Sequence, residues 1–292
     1  MPKLRTIAGI HRGAPVHWVG DGFRVSTYFP SGSDLDVRVS PFLLMDYQLP
    51  YDFPPTPSAQ RGVGPHPHRG FETVTFVWEG YVAHHDNAGN TGIIGPDDVQ
   101  WMTAGSGLLH KEYHEREFAR RGGRMHGIQL WVNLPSVHKM HPPRYQALTA
   151  AQIGRVELPG GAGFMRVIAG ESNGIKGPAQ TFTAITVLDV RLNTGGHLPL
   201  LFPEHHNTLL LLMSGRLTVN QQSVGAQDLV SFANAGEEIQ LMAQEDAHLL
   251  VLSGEPIDEP VVFHGPFVMN TEDEIMRAIS DFNRGKFGRL PD

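Results

Sequence analysis

The chain of 292 residues contains no cysteine, and this absence removes several kinds of chemistry at once. Disulfide bonds, thiolate zinc sites and thiol nucleophiles all need a cysteine side chain. A metal site in this chain must therefore be built from nitrogen and oxygen ligands. The sequence offers 16 histidines for that purpose, so an oxygen/nitrogen metal site is the first possibility to consider.

Positive charge and long hydrophobic runs are also scarce. Lys and Arg number 23 against 30 Asp and Glu, and only the short region 116–124 concentrates arginine. Without a basic patch, direct binding to nucleic acid is not expected. The amino end lacks a continuous apolar segment and no stretch approaches the length of a membrane span, which predicts a cytoplasmic protein, nuclear as well in a eukaryote.

Turn-forming residues are abundant, and they separate short apolar segments. The 33 glycines and 22 prolines punctuate strand-like runs such as Phe23–Phe29, Leu35–Val39 and Met125–Leu134. The second half of the chain repeats this style. The sequence therefore predicts an all-β fold with two stacked barrels or sandwiches, the second a degenerate echo of the first.

Two other segments complete the predicted organisation. Thr271 and Glu274 form a capping-box pattern at the start of an amphipathic run that stops at Gly285, which predicts a helix near the carboxyl end. The proline-containing segment after Leu134 is the best linker. It predicts an amino-terminal domain over residues 1–137 with the metal site, and a carboxyl-terminal domain over residues 138–292 that ends in the helical tail.

The candidate metal ligands are His66, His68, His110 and Glu112. Each pair is separated by one residue, and residues i and i+2 of a β-strand point to the same face. Two such pairs on neighbouring strands would direct three imidazoles and one carboxylate at one ion and leave about two positions of an octahedral ion open. Each histidine considered alone could equally be a residue whose ring is hydrogen-bonded and binds no metal. The four residues considered together, as HxH followed by HxE, favour a metal site.

The remaining polar candidates are weaker. Glu72 lies four residues after His68 and is interpreted either as a hydrogen-bonding partner of a ligand or as a substitute ligand. His84 is expected to be solvated beside a turn, and His114 to lie at a pocket rim. In the second half His205 and His206 are adjacent, so they point to opposite faces of a strand, and the carboxyl-terminal domain is predicted to be metal-free.

Several blocks of the sequence resemble the pirin family of the cupin superfamily. They include SPFLLMDY, PHPHRGFETVTFVWEG, DVQWMTAGSGLLHKE, GIQLWVNLP and GPFVMNTEDEI, which together span nearly the whole chain. The resemblance implies a bicupin, with two stacked jelly-roll β-barrel domains and one metal in the amino-terminal barrel. The family's iron ligands fall on His66, His68, His110 and Glu112.

The resemblance implies two functions. The first is a quercetin 2,3-dioxygenase that opens a flavonol ring with dioxygen and releases carbon monoxide, with iron(II) favoured over manganese, cobalt, nickel or copper. In that reaction Glu112 would accept the substrate proton. Apolar walls are expected from Phe71, Trp101 and Met102.

The alternative function is an iron-dependent, redox-sensing binding protein. It would act through protein partners as a transcription co-regulator or as a regulator of a metabolic enzyme, with the arginines of region 116–124 as its surface. These arginines are also compatible with an ordinary solvated face. A monomer is expected in either case.

Overall fold

The protein is described here by a computed structural model, which covers residues 2–30, 39–56 and 60–290. The predicted strand Leu35–Val39 falls almost entirely outside these residues. The first half of the chain forms β1 (Ile7–Arg12), β2 (His17–Val19), β3 (Phe23–Phe29), β4 (Phe42–Phe53), β5 (Gly62–His68), β6 (Phe71–Glu79), β7 (Val82–Asp86), β8 (Thr91–Ile94), β9 (Asp98–Thr103), β10 (Leu108–His114), α1 (Arg116–Arg121), β11 (Gly123–Asn133) and β12 (Arg144–Leu148).

The second half is built in the same way. Its elements are β13 (Arg155–Glu157), β14 (Gly163–Ala169), β15 (Glu171–Ser172), β16 (Ile175–Lys176), β17 (Ile185–Leu192), β18 (His197–Leu201), β19 (Asn207–Ser214), β20 (Arg216–Val219), β21 (Gln222–Gly225), β22 (Asp228–Phe232), β23 (Glu238–Ala243), β24 (Ala247–Gly254), β25 (Val262–His264), β26 (Phe267–Met269) and α2 (Glu272–Asn283). Short 3₁₀ turns occupy Ser136–His138 and Pro159–Gly161. The all-β prediction is confirmed.

The chain folds into two compact units of unequal size. The larger unit comprises residues 15–30, 42–150 and 257–292, and the smaller unit comprises residues 1–14, 31–41 and 151–256. In the larger unit a seven-stranded sheet, in the order β12-β9-β6-β11-β4-β3-β2, faces a four-stranded sheet, β5-β10-β7-β8. The smaller unit repeats this with β1-β22-β19-β24-β17-β14-β13 and β18-β23-β20-β21.

The units are not the contiguous halves that the sequence predicts. The segment after Leu134 is not a linker, because β12 pairs with β9 as the edge strand of the larger unit. The carboxyl end also belongs to the larger unit, where Phe267, Ile275 and Phe287 form an apolar cluster against Leu109. At the amino end β1 pairs with β22 of the smaller unit. A boundary at residue 137 therefore does not describe these units.

The two interiors differ in polarity. The core of the smaller unit is a continuous apolar cluster that includes Met165, Leu188, Leu210 and Leu249. The seven-stranded sheet of the larger unit instead turns polar side chains such as Thr75 and Gln129 toward an internal cavity. Cavity-facing polar groups of this kind are costly to bury unless they are hydrogen-bonded or used, which directs attention to the larger unit.

The α-helices among the described residues, α1 and α2, are short. The carboxyl-terminal helix α2 begins with the predicted capping box, in which Thr271 Oγ1 accepts from the Glu274 backbone N–H and Glu274 binds the Thr271 N–H. The six-residue α1 was not predicted from the sequence; Glu115 caps it by accepting from the N–H groups of Glu117 and Phe118. No helix within the described ranges is long and apolar enough to cross a membrane.

Candidate metal centre

Three of the four predicted ligands converge on one point of the larger unit. His66 and His68 lie on β5, and His110 lies on the adjacent antiparallel strand β10, directly opposite His66. One ligand nitrogen from each ring falls in a group whose members all lie within 4.8 Å of one another. The ring centroids are 4.8, 4.3 and 4.9 Å apart for His66–His68, His66–His110 and His68–His110. This spacing lets one ion contact all three imidazoles.

The hydrogen bonding of the rings fits a metal ion. His110 is completely buried, and neither of its ring nitrogens has a hydrogen-bond partner among the described residues. Such an orphaned imidazole is costly unless a ligand satisfies it. His66 Nδ1 donates to the Gly64 carbonyl at 2.8 Å, and a donor bond of this kind fixes the tautomer that leaves Nε2 free to bind a metal.

The rings are also held in the protonation state that metal binding requires. Burial lowers the pKa of His66, and it lowers the pKa values of His68 and His110 well below the ordinary histidine value. The neighbouring imidazoles lower the pKa values of His68 and His110 further. Neutral imidazoles are ligands for divalent cations, so the cluster is ready to bind one without first losing protons.

Glu112, the fourth predicted ligand, does not belong to the group of converging atoms. A register irregularity separates it from His110 in the pairing of β10 with β5. Its carboxylate lines a cavity of about 40 Å³ together with Thr75, Gln129 and Asp46, and Thr75 Oγ1 lies 3.4 Å from Glu112 Oε1. Burial raises the pKa of Glu112 to about 7, although the Thr75 hydroxyl acts in the opposite direction.

The predicted apolar walls divide between the two faces of the seven-stranded sheet. Phe71 lies against His68 with ring centroids 5.1 Å apart. Met102 pairs with Thr73 and shares the face of the cavity residue Thr75. Trp101 pairs with Val74 and lies on the opposite face, so it cannot line this cavity.

Glu72 also lies on the face that points away from the cavity, because it is an odd number of positions from Thr75 on β6. It accepts a hydrogen bond of 2.7 Å from Thr103 Oγ1. Burial raises the pKa of Glu72 to about 7. The structure therefore gives Glu72 a hydrogen-bonding partner on β9 and does not bring it to the three histidines.

We expect Glu72→Gln to stabilise the protein at pH 8 and not at pH 5. The pKa of Glu72 is about 7 in the folded protein, against 4.5 for an ordinary glutamate. The favourable contribution of Glu72 to the free energy of unfolding is therefore complete below pH 4.5 and is lost as the pH rises through 7. Glutamine keeps an acceptor for Thr103 and carries no charge. Urea unfolding should show a gain on the order of 2 kcal/mol at pH 8, with unchanged metal content. An equal gain at both pH values would contradict this account.

Two other histidines differ from their predicted settings. His84 is buried, not solvated, and its ring stacks on Tyr145 with centroids 5.1 Å apart. His114 is buried, not at a rim, and its Nε2 donates to the Gly22 carbonyl at 2.8 Å. They lie on β7 and β10, the two inner strands of the four-stranded sheet, and the polar sequence around them gives no sign of burial.

Comparisons with known proteins agree with the fold. A family model described as Pirin matches residues 22–132, and one described as Pirin C-terminal cupin domain matches residues 187–288. A Pseudomonas aeruginosa protein with the provisional name quercetin 2,3-dioxygenase is 50% identical over 98% of this chain and 99% of its own. Human pirin is 38% identical over 92% of this chain and 89% of its own.

A solved structure is similar over the whole chain. The crystal structure of quercetin 2,3-dioxygenase from Acinetobacter baumannii matches with a TM-score of 0.94 and 47% identity, and the match covers 99% of this chain and 100% of that one.

Proposed function

The chain belongs to the pirin family of bicupins, and from that premise we propose that it is a metal-dependent dioxygenase that opens the ring of a flavonol such as quercetin. The observation that carries the proposal is the buried His110, whose ring nitrogens have no hydrogen-bond partner among the described residues and which converges with His66 and His68, two residues from the cavity-lining Glu112. The names of the 50%-identical relative and of the 47%-identical structure support the same reaction class.

Iron(II) is the proposed metal. The chain has no thiolate, and imidazole ligands with a neighbouring carboxylate and open positions suit iron that reacts with dioxygen. When bound, the ion supplies Lewis acidity and the one-electron chemistry that dioxygen activation requires. His66, His68 and His110 would hold it, and Glu112, two residues from His110 on the same strand, remains the proposed fourth ligand.

Glu112 is also the proposed proton acceptor. Its pKa of about 7 is close to that expected of an efficient general base at neutral pH. The carboxylate lies in a cavity whose other lining groups include Val63 and Val82, so little water competes for it. A substrate hydroxyl that reaches this cavity would transfer its proton to Glu112. The Thr75 hydroxyl, which donates to Gln129 Oε1 at 2.7 Å and lies 3.4 Å from Glu112 Oε1, would turn to donate to the carboxylate in its ionised form.

Phe71 and Met102 remain the proposed apolar contacts. Both side chains are fully buried, and each lies on the cavity side of the seven-stranded sheet. Phe71 also packs against Trp131 with ring centroids 4.2 Å apart. Together these rings would fix the orientation of His68.

Single-turnover assays test the proposed reaction. Protein reconstituted anaerobically with iron(II) and then mixed with quercetin and dioxygen should lose the flavonol absorbance and release an equal amount of carbon monoxide. Fully metallated protein that consumes neither quercetin nor any other compound in a broad phenolic panel would contradict the proposal.

A further inference from the structure

The larger unit contains a cleft that is lined by none of the proposed metal ligands. It has a volume of about 360 Å³ and is lined by residues of β7, the turn into β8, β9 and β12. This volume falls within the range of about 300–1,000 Å³ that is usual for small-molecule sites. The lining residues that bear on recognition are His84, Thr91, Gln100, Tyr145 and Ala147.

His84 joins the cleft to the metal centre. On β7 it is the cross-strand partner of Glu112, and Asp86 is the partner of His110. Cross-strand partners share a face of the sheet and have Cβ atoms about 4.5–5.5 Å apart. His84 therefore lies between the cleft, which it lines, and the carboxylate of the proposed proton acceptor.

His84 is placed tightly and yet has an unused polar atom. Its side chain is 3% exposed, and Nδ1 has no hydrogen-bond partner within the described ranges. On the other side of the ring, a Cβ added to Gly92 would lie 2.4 Å from Nε2, so glycine at this position makes room for the imidazole. The ring stacks on Tyr145 at an interplanar angle of 19°. A buried nitrogen held this firmly is suited to bind a ligand group that enters the cleft.

The charges around the cleft select an uncharged ligand. No lysine or arginine is among the described residues that line it. The carboxylate of Asp98 accepts from the backbone N–H groups of Gly95 and Ala150 at 3.0 and 2.7 Å. The Asp86 carboxylate accepts from Ala88 and Asn90. Because the carboxylates are already hydrogen-bonded and no cationic side chain lines the cleft, a charged ligand would gain little electrostatic stabilisation there. An aromatic compound with hydroxyl groups can instead form hydrogen bonds and pack against Ile94 and Leu148.

We propose that this cleft binds the uncharged, hydroxyl-bearing aromatic substrate of the centre and that His84 hydrogen-bonds one of its hydroxyl groups. The inference rests on the proposed function for the identity of the substrate, and on the cleft itself for the place of binding. The cleft then holds the part of the molecule that does not react, while the reacting hydroxyl lies toward Glu112.

Binding of quercetin under anaerobic conditions tests the cleft apart from turnover, because the ligand is not consumed without dioxygen. The iron(II)-loaded protein is titrated with quercetin by calorimetry. Ala147 is exposed on the edge strand β12, so Ala147→Trp can fill the cleft without disturbing the core, and His84→Phe keeps the ring while removing its nitrogens. Val137→Trp, at a position that is 81% exposed and outside the cleft, is the matched control.

We expect the Val137→Trp and unmodified proteins to bind quercetin equally. His84→Phe should bind quercetin about tenfold more weakly or worse, since a tenfold change corresponds to the loss of about one net hydrogen bond. Ala147→Trp should weaken binding at least as much, because the indole ring occupies the cleft. Undiminished binding by Ala147→Trp, or no binding by the unmodified protein, would overturn the proposed site.

Aerobic kinetics separate this inference from the proposed function. If quercetin binds, and binds less well to Ala147→Trp, but the unmodified protein never consumes it, the cleft is supported and the dioxygenase proposal fails. If quercetin is consumed and Ala147→Trp leaves KM unchanged, the dioxygenase proposal stands and the cleft assignment fails. If both hold, Ala147→Trp should raise KM about tenfold or more with kcat little changed.

Discussion

Replacement of His110 with alanine should leave the protein almost without metal and without turnover. His110 is completely buried between β5 and β7, and both ring nitrogens lack partners within the described part of the chain. Loss of a direct ligand should lower metal affinity by more than the roughly 10–100-fold that follows loss of an outer-shell partner. Elemental analysis of protein purified anaerobically measures the effect, together with quercetin turnover.

The matched control for this variant is His85→Ala. His85 is on β7, half-buried, and bonded to the Tyr113 hydroxyl, and it lies outside the group of converging nitrogens. This control should keep its metal and its activity. A His110→Ala protein that retains a full complement of metal would show that the ion binds elsewhere.

Replacement of Glu112 with glutamine should separate metal binding from catalysis. Glutamine has nearly the same volume and can still meet Thr75, but it cannot accept a proton. Since general base catalysis contributes typically about 10²–10⁴-fold, kcat should fall by that factor. The amide oxygen of glutamine can replace the carboxylate as a weaker oxygen ligand beside the three histidines, so with iron(II) in excess the metal content should change little.

Thr75→Val provides a graded comparison for the Glu112 variant. It removes the hydroxyl that lies 3.4 Å from Glu112 Oε1 while keeping the carboxylate, so a much smaller loss of kcat is expected. Full turnover by Glu112→Gln would remove Glu112 from the catalytic role. Loss of metal together with turnover would show that the carboxylate is a required ligand.

The convergence of His66, His68 and His110 can be predicted from a short-range rule. The spacing of His66 and His68 places both on one face of a strand, and the spacing of His110 and Glu112 does the same on the next. The pairing of β5 with β10 sets His110 opposite His66, and this brings the ring nitrogens of the three histidines together. The irregularity after His110 could not be read from the spacing, because a bulge depends on the partner strand and not on the strand's own pattern.

The orientation of β6 and β9 was harder to predict. On β6 the threonines face the cavity, whereas Glu72 and Val74 lie on the opposite, buried face. The alternation of side chains along a strand shows that Glu72 and Thr73 lie on opposite faces of β6. The rule that apolar residues face the interior then selects the wrong face, because the interior here is a polar cavity. Trp101 was misplaced for the same reason.

The composition of the two units depends on contacts that are distant in sequence. β1 pairs with β22, more than 200 residues away, and Lys139 Nζ donates to the carbonyls of Gly70 and Val268 at 2.9 and 3.0 Å. Proline and turn signals report only local breaks in the chain. They could indicate two β-rich domains, but they could not show that residues 257–292 return to the first of them.

Anomalous diffraction from crystals of iron(II)-loaded protein tests the central claim most directly. The account predicts one strong peak in the larger unit, with a ring nitrogen from each of His66, His68 and His110 at about 2.0–2.2 Å from it. A peak at any other place, or one that reaches fewer than three of these imidazoles, would contradict the account.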